Sequence, residues 1–136
     1  MKMTDQPRIL VIDDDEAVLF AFSRIFRTSG VGIDTATTVA DAKGLIDSTK
    51  YALVLTDLRL EAGSPIGGID IIRHTREHSP GTATVLWTAY DSEAGARDFA
   101  EADFVLTKPA PSEKIMEILN RVCSTGSNQE ERKRQQ

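Results

Sequence analysis

The stretch that decides the fold is Tyr51-Ala-Leu-Val-Leu-Thr-Asp57, an apolar run that ends in an acidic residue. Three further runs of this kind occur in the chain: Arg8-Ile-Leu-Val-Ile-Asp13, Thr82-Ala-Thr-Val-Leu-Trp-Thr88 and Asp103-Phe-Val-Leu-Thr-Lys108. They are rich in β-branched or aromatic residues, and their hydrophobicity is largely continuous rather than alternating. This pattern is typical of strands covered on both faces, so it predicts a parallel sheet between layers of helices.

The segments between the runs repeat apolar residues with a helical period. Val18, Phe22 and Phe26 indicate a first helix, which ends at the stop signal Ser29-Gly30. The same period predicts four more helices, around residues 39–46, 69–77, 91–102 and 115–122. The more polar run from Val31 to Thr37 predicts an edge strand. Five strands alternating with five helices indicate a flavodoxin-like, doubly wound α/β domain with a parallel sheet of order 2-1-3-4-5.

Length and composition limit the organisation of the chain. The 136 residues suffice for one core, and we predict one domain over residues 8–123. Residues 124–136 contain no large apolar side chain and are predicted to form a flexible polar tail. The longest apolar runs are far shorter than the roughly 20 residues that span a bilayer. With its polar start and no signal-peptide pattern, the chain is predicted to be cytoplasmic and not to contact a membrane.

The charge balance argues against a nucleic-acid-binding protein. Sixteen basic and 21 acidic residues give a net charge of -5. Binding to the phosphate backbone requires a basic surface, so we predict no direct contact with DNA or RNA. Cys123 is the only cysteine, which excludes an internal disulfide and a thiolate metal cluster.

The polar residues that end the apolar runs are the candidates for function. In open α/β sheets the ligand crevice lies outside the carboxyl ends of the strands. The residues at these ends are Asp13-Asp14-Asp15-Glu16, Asp57, Thr88 and Lys108. Taken singly, an acidic run favours a helix N-terminus, and a lone Asp, Thr or Lys is commonly a turn, strand-end or solvated residue. Their joint occurrence at one edge is better explained by a site.

These residue types suit phosphate chemistry. Neighbouring carboxylates attract Mg²⁺, which typically binds a few carboxylates and waters and leaves room for a phosphate. An anionic nucleophile that attacks a phosphoryl group needs positive charge beside the phosphoryl oxygens, and Lys108 together with Mg²⁺ could supply it. The hydroxyl of Thr88 could donate a hydrogen bond to the transferred group.

In these residues the sequence resembles the receiver domain of two-component response regulators. The resemblance spans residues 8 to about 123. Any one of its motifs is weak, but their order and spacing along the chain are specific to this family. The motifs are Ile9-Leu-Val-Ile-Asp13-Asp14, Leu55-Thr-Asp57, Trp87-Thr88-Ala89 and Thr107-Lys108-Pro109.

The resemblance implies a role for each of these residues. Asp57 would accept a phosphoryl group from a histidine kinase or a phosphotransfer protein and form an acyl phosphate. Lys108 would pair with the phosphoryl oxygens, and Thr88 would swing toward them. The implied ligands of the Mg²⁺ cofactor are Asp13, Asp14, Asp57 and the backbone carbonyl of Arg59.

The implied function is that of a switch rather than an enzyme. Phosphorylation adds charge and acceptor oxygens, which can bias a two-state element and change the affinity for a downstream protein target. Any catalytic act would be confined to phosphorylation and dephosphorylation of Asp57 itself. The sequence names no kinase or target and leaves the oligomeric state open, a homodimer included.

The sequence departs from the family pattern at several places, and two of them bear on the site and its switch. Receivers commonly carry an aromatic residue three positions before the lysine, where this chain has Val105; its aromatic residue is Phe104, which strand alternation should turn to the opposite face. The segment after Asp57 is longer than usual, with Pro65 late in it. We therefore expect a coupling from Thr88 to the output surface that differs from the usual one.

Three alternative functions are open at this stage. Asp13-x-Asp15 superficially matches the motif of aspartyl-phosphate hydrolases of the haloacid dehalogenase type, in which Asp13 would be the nucleophile. A flavodoxin shares the fold, but the acidic residues after the first strand would repel the flavin phosphate. A phosphorylation-independent adaptor would use the same surface without accepting phosphate.

His74 and His78 form a second pattern with possible metal chemistry. Their spacing places them on one face of a predicted helix. No third ligand is evident near them in the sequence, so we interpret both as surface residues.

Overall fold

Five parallel strands form one sheet in the order β2-β1-β3-β4-β5. The computed structural model describes residues 6–60, 66–88, 101–108 and 111–127. The order confirms the predicted flavodoxin-like fold, including the edge position of the polar second strand. The strands are β1 (Arg8–Ile12), β2 (Gly32–Ala36), β3 (Leu53–Asp57), β4 (Ala83–Thr88) and β5 (Phe104–Thr107).

The helices of the described residues are α1 (Glu16–Thr28), α2 (Val39–Ser48), α3 (Ile66–His78) and a C-terminal helix (Ser112–Ser127). The carboxylate of Asp15 caps α1 by accepting a hydrogen bond from the backbone N–H of Ala17 at 3.0 Å. The predicted stop at Ser29-Gly30 is confirmed, because α1 ends there and Gly30 has a φ of 82°, which glycine adopts without strain. Among these helices, none combines the length and apolar content that crossing a membrane requires.

The centre of the sheet is covered on both faces, as the continuous hydrophobicity of β1, β3 and β4 predicts. The same prediction is wrong for β5, where half-buried residues alternate with exposed ones because it is an edge strand. Ile9 and Val11 of β1 pack in one cluster with α1 and the C-terminal helix, and Leu10 and Ile12 pack in a second cluster with residues of α2 and α3. Every residue of β3 and β4 is buried. Full burial of one such aliphatic side chain contributes roughly 1.5–3 kcal/mol, so these two layers fix the plane of the sheet and the position of its carboxyl edge.

Several helix boundaries differ from the predicted ones, most clearly at the start of α3 and in the C-terminal helix. Helix α3 begins at Ile66 rather than near residue 69, so Gly67 and Gly68 lie in its first turn. The C-terminal helix continues to Ser127, so residues 124–127, predicted as the start of a flexible tail, are helical. Helix elongation gains a backbone hydrogen bond per residue and does not require the large apolar side chains on which the predicted boundary relied.

Parts of the predictions lie outside the described residues. These are the remaining tail (128–136), the late proline of the segment after Asp57 (61–65), and most of the predicted helix 91–102. Of that helix only Glu101 and Ala102 are described, and they lie in a turn and bend before β5.

Candidate functional site

The polar residues predicted from the strand ends lie at one edge of the sheet. Asp13 follows β1, Asp57 is the last residue of β3, Thr88 ends β4, and Lys108 follows β5. Asp13 and Asp57 are buried, with exposures of 1% and 9%. Carboxylates withdrawn from water are costly unless a cation lies beside them. The site must therefore supply positive charge.

Lys108 supplies this charge by bridging the two buried carboxylates. Its Nζ lies 3.2 Å from Oδ2 of Asp13 and 3.3 Å from Oδ2 of Asp57. The backbone N–H of Lys108 donates to the carbonyl oxygen of Thr88 at 2.7 Å, which ties the end of β5 to the end of β4. The ammonium is thus held between residues that are 51 and 95 positions away in the sequence.

The acidic run after β1 divides into a site part and a helix part. Asp13 points into the site, and its Oδ1 accepts a hydrogen bond from the backbone N–H of Asp15 at 2.9 Å. Asp15 caps α1, and Glu16 lies in the first turn of that helix, where a negative charge is favourable. Asp13 therefore belongs to the candidate site, whereas Asp15 and Glu16 belong to the start of α1.

Backbone contacts hold the phosphoacceptor candidate Asp57 in place. Its Oδ1 accepts a hydrogen bond from the N–H of Arg59 at 3.3 Å. Leu58 donates to the carbonyl oxygen of Trp87 at 3.2 Å and accepts from the N–H of Gly68 at 3.0 Å. A Cβ on Gly68 would lie 2.4 Å from the carbonyl oxygen of Asp57, so α3 approaches this backbone as closely as only glycine allows.

Trp87 packs beneath the site, a role that the sequence did not single out. The Nζ of Lys108 lies 4.6 Å from the centroid of the indole ring, within the range of a cation–π contact. The ring is edge-on to Phe22 of α1, with a centroid distance of 5.0 Å. Trp87 pairs with Asp57 across β3 and β4. Its position just before Thr88, at the end of a buried strand, was the signal in the sequence that could have revealed this role.

The charges of Asp57 and Lys108 depend on this environment. Burial raises the pKa of Asp57 because the ionised carboxylate loses hydration, and Asp13 raises it further; Lys108 and the N–H of Arg59 lower it without cancelling the increase. Burial also disfavours the charge of Lys108, but Asp57 and Asp13 outweigh burial and raise the pKa of the ammonium. The site therefore holds two buried carboxylates beside one ammonium, and burial is the main reason why the pKa of Asp57 is raised.

Asp57→Asn is expected to increase the free energy of unfolding at neutral pH without divalent cations. Because the pKa of Asp57 is raised by folding, its neutral form stabilises the fold fully below the unfolded pKa, and this stabilisation is lost as the pH rises through the folded pKa. At neutral pH the wild type carries a charge that folding disfavours, and the amide does not. Urea denaturation should show that the difference in free energy of unfolding between Asp57→Asn and the wild type becomes smaller toward acid pH. A variant less stable than the wild type at neutral pH would contradict this account.

The acidic residues of this edge fit a hard divalent cation. One carboxylate oxygen each from Asp13, Asp14 and Asp57 lies within 4.8 Å of the others. Asp14 is exposed whereas the other two are buried, so the group opens toward solvent on one side. An all-oxygen set that leaves several positions open is the arrangement that suits Mg²⁺.

The structure also shows how Phe104 and Val105 are oriented in β5, where the sequence departs from the family pattern. Phe104 packs with the cluster of α1 and the C-terminal helix, whereas Val105 is 37% exposed. The two side chains lie on opposite faces, as strand alternation predicts. The position three before Lys108 thus presents an exposed aliphatic side chain.

The chain is similar in sequence to bacterial regulatory proteins. The photosynthetic apparatus regulatory protein RegA of Rhodovulum sulfidophilum is 31% identical over 123 residues, which cover 85% of this chain and 62% of RegA. The alginate biosynthesis transcriptional regulatory protein AlgB of Pseudomonas aeruginosa is 30% identical over 112 residues, which cover 81% of this chain and 24% of AlgB. The chain therefore spans only part of the length of these relatives.

Solved structures share the fold. A response regulator protein from Burkholderia pseudomallei, described with a phosphorylated aspartic acid, calcium ion and citrate, is 25% identical with a TM-score of 0.75, over 91% of this chain and 73% of that one. The response regulator TrrA from Thermotoga maritima, in complex with Mg²⁺-BeF, is 23% identical with a TM-score of 0.74, over 86% of this chain and 99% of that one. The likeness to TrrA shows the fold alone.

The family model of the response regulator receiver domain matches residues 9–120, which is most of the chain. The match includes β1 from Ile9 onward, the other four strands whole, and the site residues at their carboxyl ends. It confirms the resemblance that the four motifs indicated. The chain belongs to the family of response regulator receiver domains.

Proposed function

We propose that this receiver domain accepts a phosphoryl group on Asp57 in a Mg²⁺-dependent reaction. The observation that carries the proposal is the ammonium of Lys108, which lies 3.3 Å from Asp57 and 3.2 Å from Asp13 at the carboxyl edge of the sheet. In the reaction an Oδ atom of Asp57 attacks the phosphorus of the donor. The bond from phosphorus to the donor's leaving atom breaks, and the product is an acyl phosphate on Asp57.

The residues that would hold Mg²⁺ are Asp13, Asp14, Asp57 and the backbone carbonyl of Arg59. The proposal is supported by the short distances between the three carboxylates. It is also supported by the hydrogen bond from the N–H of Arg59 to Asp57, because this contact keeps the backbone of Arg59 close to the site. When bound, the cation neutralises charge between the nucleophile and the phosphoryl group. The carboxylates of Asp13 and Asp14 would orient it. Burial, and after it the charge of Asp13, raises the pKa of Asp57, and a bound cation would favour the ionised form of this nucleophile.

Lys108 and Thr88 would act on the transferred phosphoryl group. Lys108 is already charged and held at the edge by Trp87 and the two carboxylates, so it can pair with a phosphoryl oxygen with little reorganisation. Thr88 is buried one residue beyond the strand partner of Asp57, from where its hydroxyl would swing toward the phosphate. New hydrogen bonds of this kind exist only in the phosphorylated state and would bias the output surface.

The proposed partners are a histidine kinase or phosphotransfer protein as donor and a downstream protein target, all in the cytoplasm. The domain would act on its own Asp57 and on no external substrate, so we do not propose an enzyme. A hydrolase with Asp13 as its nucleophile is disfavoured, because the carboxylate of Asp15, the second acidic residue of the Asp13-x-Asp15 motif, is engaged in capping α1. A phosphorylation-independent adaptor would share the fold but gain no phosphoryl group.

Incubation with acetyl phosphate and Mg²⁺ is expected to add one phosphoryl group per chain, measured as intact mass. Asp57→Asn should gain none, and neither should the wild type in chelator. Asp70→Asn is a matched control, since it removes a carboxylate that pairs with Lys43 between α2 and α3. This variant should gain the group like the wild type. If the wild type stays unmodified with both acetyl phosphate and a phosphohistidine donor, the proposal is wrong.

A further inference from the structure

A second cluster of potential metal ligands lies between α2 and α3. His74 and His78 occupy successive turns of α3, and their rings stack with a centroid distance of 4.1 Å. Asp47 of α2 faces them, with its Oδ1 2.8 Å from Nε2 of His74. One ligand atom from each of the three residues lies within 4.8 Å of the others. Asp47 is the third ligand that the sequence did not reveal, because it lies on a different helix.

A hydrogen bond between the two histidines fixes the tautomer of His78 that can bind a metal. Nδ1 of His78 lies 3.1 Å from the carbonyl oxygen of His74, which can only accept, so Nδ1 is the donor. In the neutral ring this leaves the lone pair of Nε2 available. Metal-bound histidines typically donate their other N–H to a carbonyl or carboxylate in this way, which fixes the tautomer.

We propose that Asp47, His74 and His78 bind a divalent first-row transition metal of the Zn²⁺ type. Two imidazoles and one carboxylate are a frequent set for this class of ion, with a water in the remaining position, whereas Mg²⁺ prefers oxygen ligands. The ion takes the place of the hydrogen between Asp47 and His74, and the neutral ring of His74 then carries its proton on Nδ1. The side chain of Asp47 is 52% exposed, which gives the ion access from solvent.

The neighbouring charges leave the site available to a cation. One turn earlier on both helices, Lys43 of α2 and Asp70 of α3 form an ion pair at 3.0 Å. The carboxylate of Asp70 therefore offsets the ammonium of Lys43, which is the basic group nearest along α2 to Asp47. This pair and the proposed site together form two successive bridges between the same helices.

The site is separate from the phosphoacceptor edge. Asp47 and His78 lie in the last turns of α2 and α3. In a right-handed βαβ crossover the helix runs antiparallel to the strands, so these turns lie at the edge of the sheet opposite to Asp57. A bound metal would join the ends of α2 and α3, which pack against each other, and would stabilise the folded state by mass action.

The test is a titration of untagged protein with Zn²⁺ in excess Mg²⁺, against a competing chromogenic chelator. The chain has only two histidines, so imidazole-dependent binding must involve His74 or His78. We expect one Zn²⁺ per chain, and affinity lower by at least about tenfold in His78→Gln and in Asp47→Asn. Asp41→Asn is the control, because it removes an exposed carboxylate from the first turn of α2 and leaves the ligands and the Lys43–Asp70 pair in place. All four proteins contain the acidic site and Cys123. Zn²⁺ binding at those places would be the same in each protein and would not produce the expected difference in affinity.

Thermal melting provides a second readout. Zn²⁺ should raise the Tm of the wild type and of Asp41→Asn, and should leave the Tm of His78→Gln nearly unchanged. His78 is exposed, so its replacement should not prevent folding. Equal Zn²⁺ affinity in the wild type, His78→Gln and Asp47→Asn, or no bound Zn²⁺ in the wild type, would overturn the proposal.

Discussion

Gly68→Ala is expected to lower the free energy of unfolding by about 1–3 kcal/mol, the usual cost of forcing an extra methyl group into a packed site. A Cβ at this position would lie 2.4 Å from the carbonyl oxygen of Asp57, and 2.7 and 2.8 Å from the Cα and carbonyl oxygen of Leu58. All three are backbone atoms, so no side-chain rotation can relieve the contact. Either α3 or the end of β3 must move.

Gly44→Ala is the matched control, because Gly44 is also helical but a Cβ there meets nothing within 4 Å. Alanine in an exposed helix interior should stabilise the fold by roughly 0.5–1 kcal/mol relative to glycine. Urea denaturation followed by the fluorescence of Trp87, the only tryptophan, measures both changes. Equal stability of Gly68→Ala and the wild type would show that α3 does not approach Asp57 as closely as described.

Lys108→Ala is expected to slow phosphorylation by acetyl phosphate by about 10²–10³-fold at saturating Mg²⁺. This is the usual loss when one preorganised charge or donor is removed from a transition state that develops negative charge. Lys108 lies between Asp13 and Asp57 and rests on the ring of Trp87, so its ammonium is in place before the donor binds.

Two further variants separate charge from geometry at this position. Lys108→Arg keeps the charge but not the compact ammonium, and should retain only part of the rate. Lys114→Ala removes an exposed lysine of the C-terminal helix and should react like the wild type. The rate is followed by intact mass against time. A rate for Lys108→Ala within a few-fold of the wild type would exclude a direct role of this ammonium.

Much of the fold was predictable because β1, β3 and β4 are buried on both faces. The runs that end at Asp13, Asp57 and Thr88 are largely apolar, and flanking helices are the elements that cover such strands. The polar β2, which contains Asp34, could occupy only an edge. The end of the C-terminal helix was missed, since elongation of a helix leaves no hydrophobic signature.

The site was predictable to the extent that topology alone brings residues together. Parallel strands place their carboxyl ends at one edge, so Asp13, Asp57 and Lys108 could be grouped without a structure. Contacts made across layers could not be derived in this way. The approach of Gly68 to the backbone of Asp57 and the packing of Trp87 under Lys108 depend on how helices and side chains settle on the sheet.

The most direct test of the account is the chemical identification of the phosphorylated residue. Protein treated with acetyl phosphate and Mg²⁺ is reduced with borohydride, which converts an aspartyl phosphate to homoserine, and is then digested and sequenced by mass spectrometry. The account predicts homoserine at position 57, and none there when Mg²⁺ is chelated. Homoserine at position 13 would instead indicate the hydrolase chemistry, and its absence from both positions after a measured mass gain would contradict the assignment of Asp57.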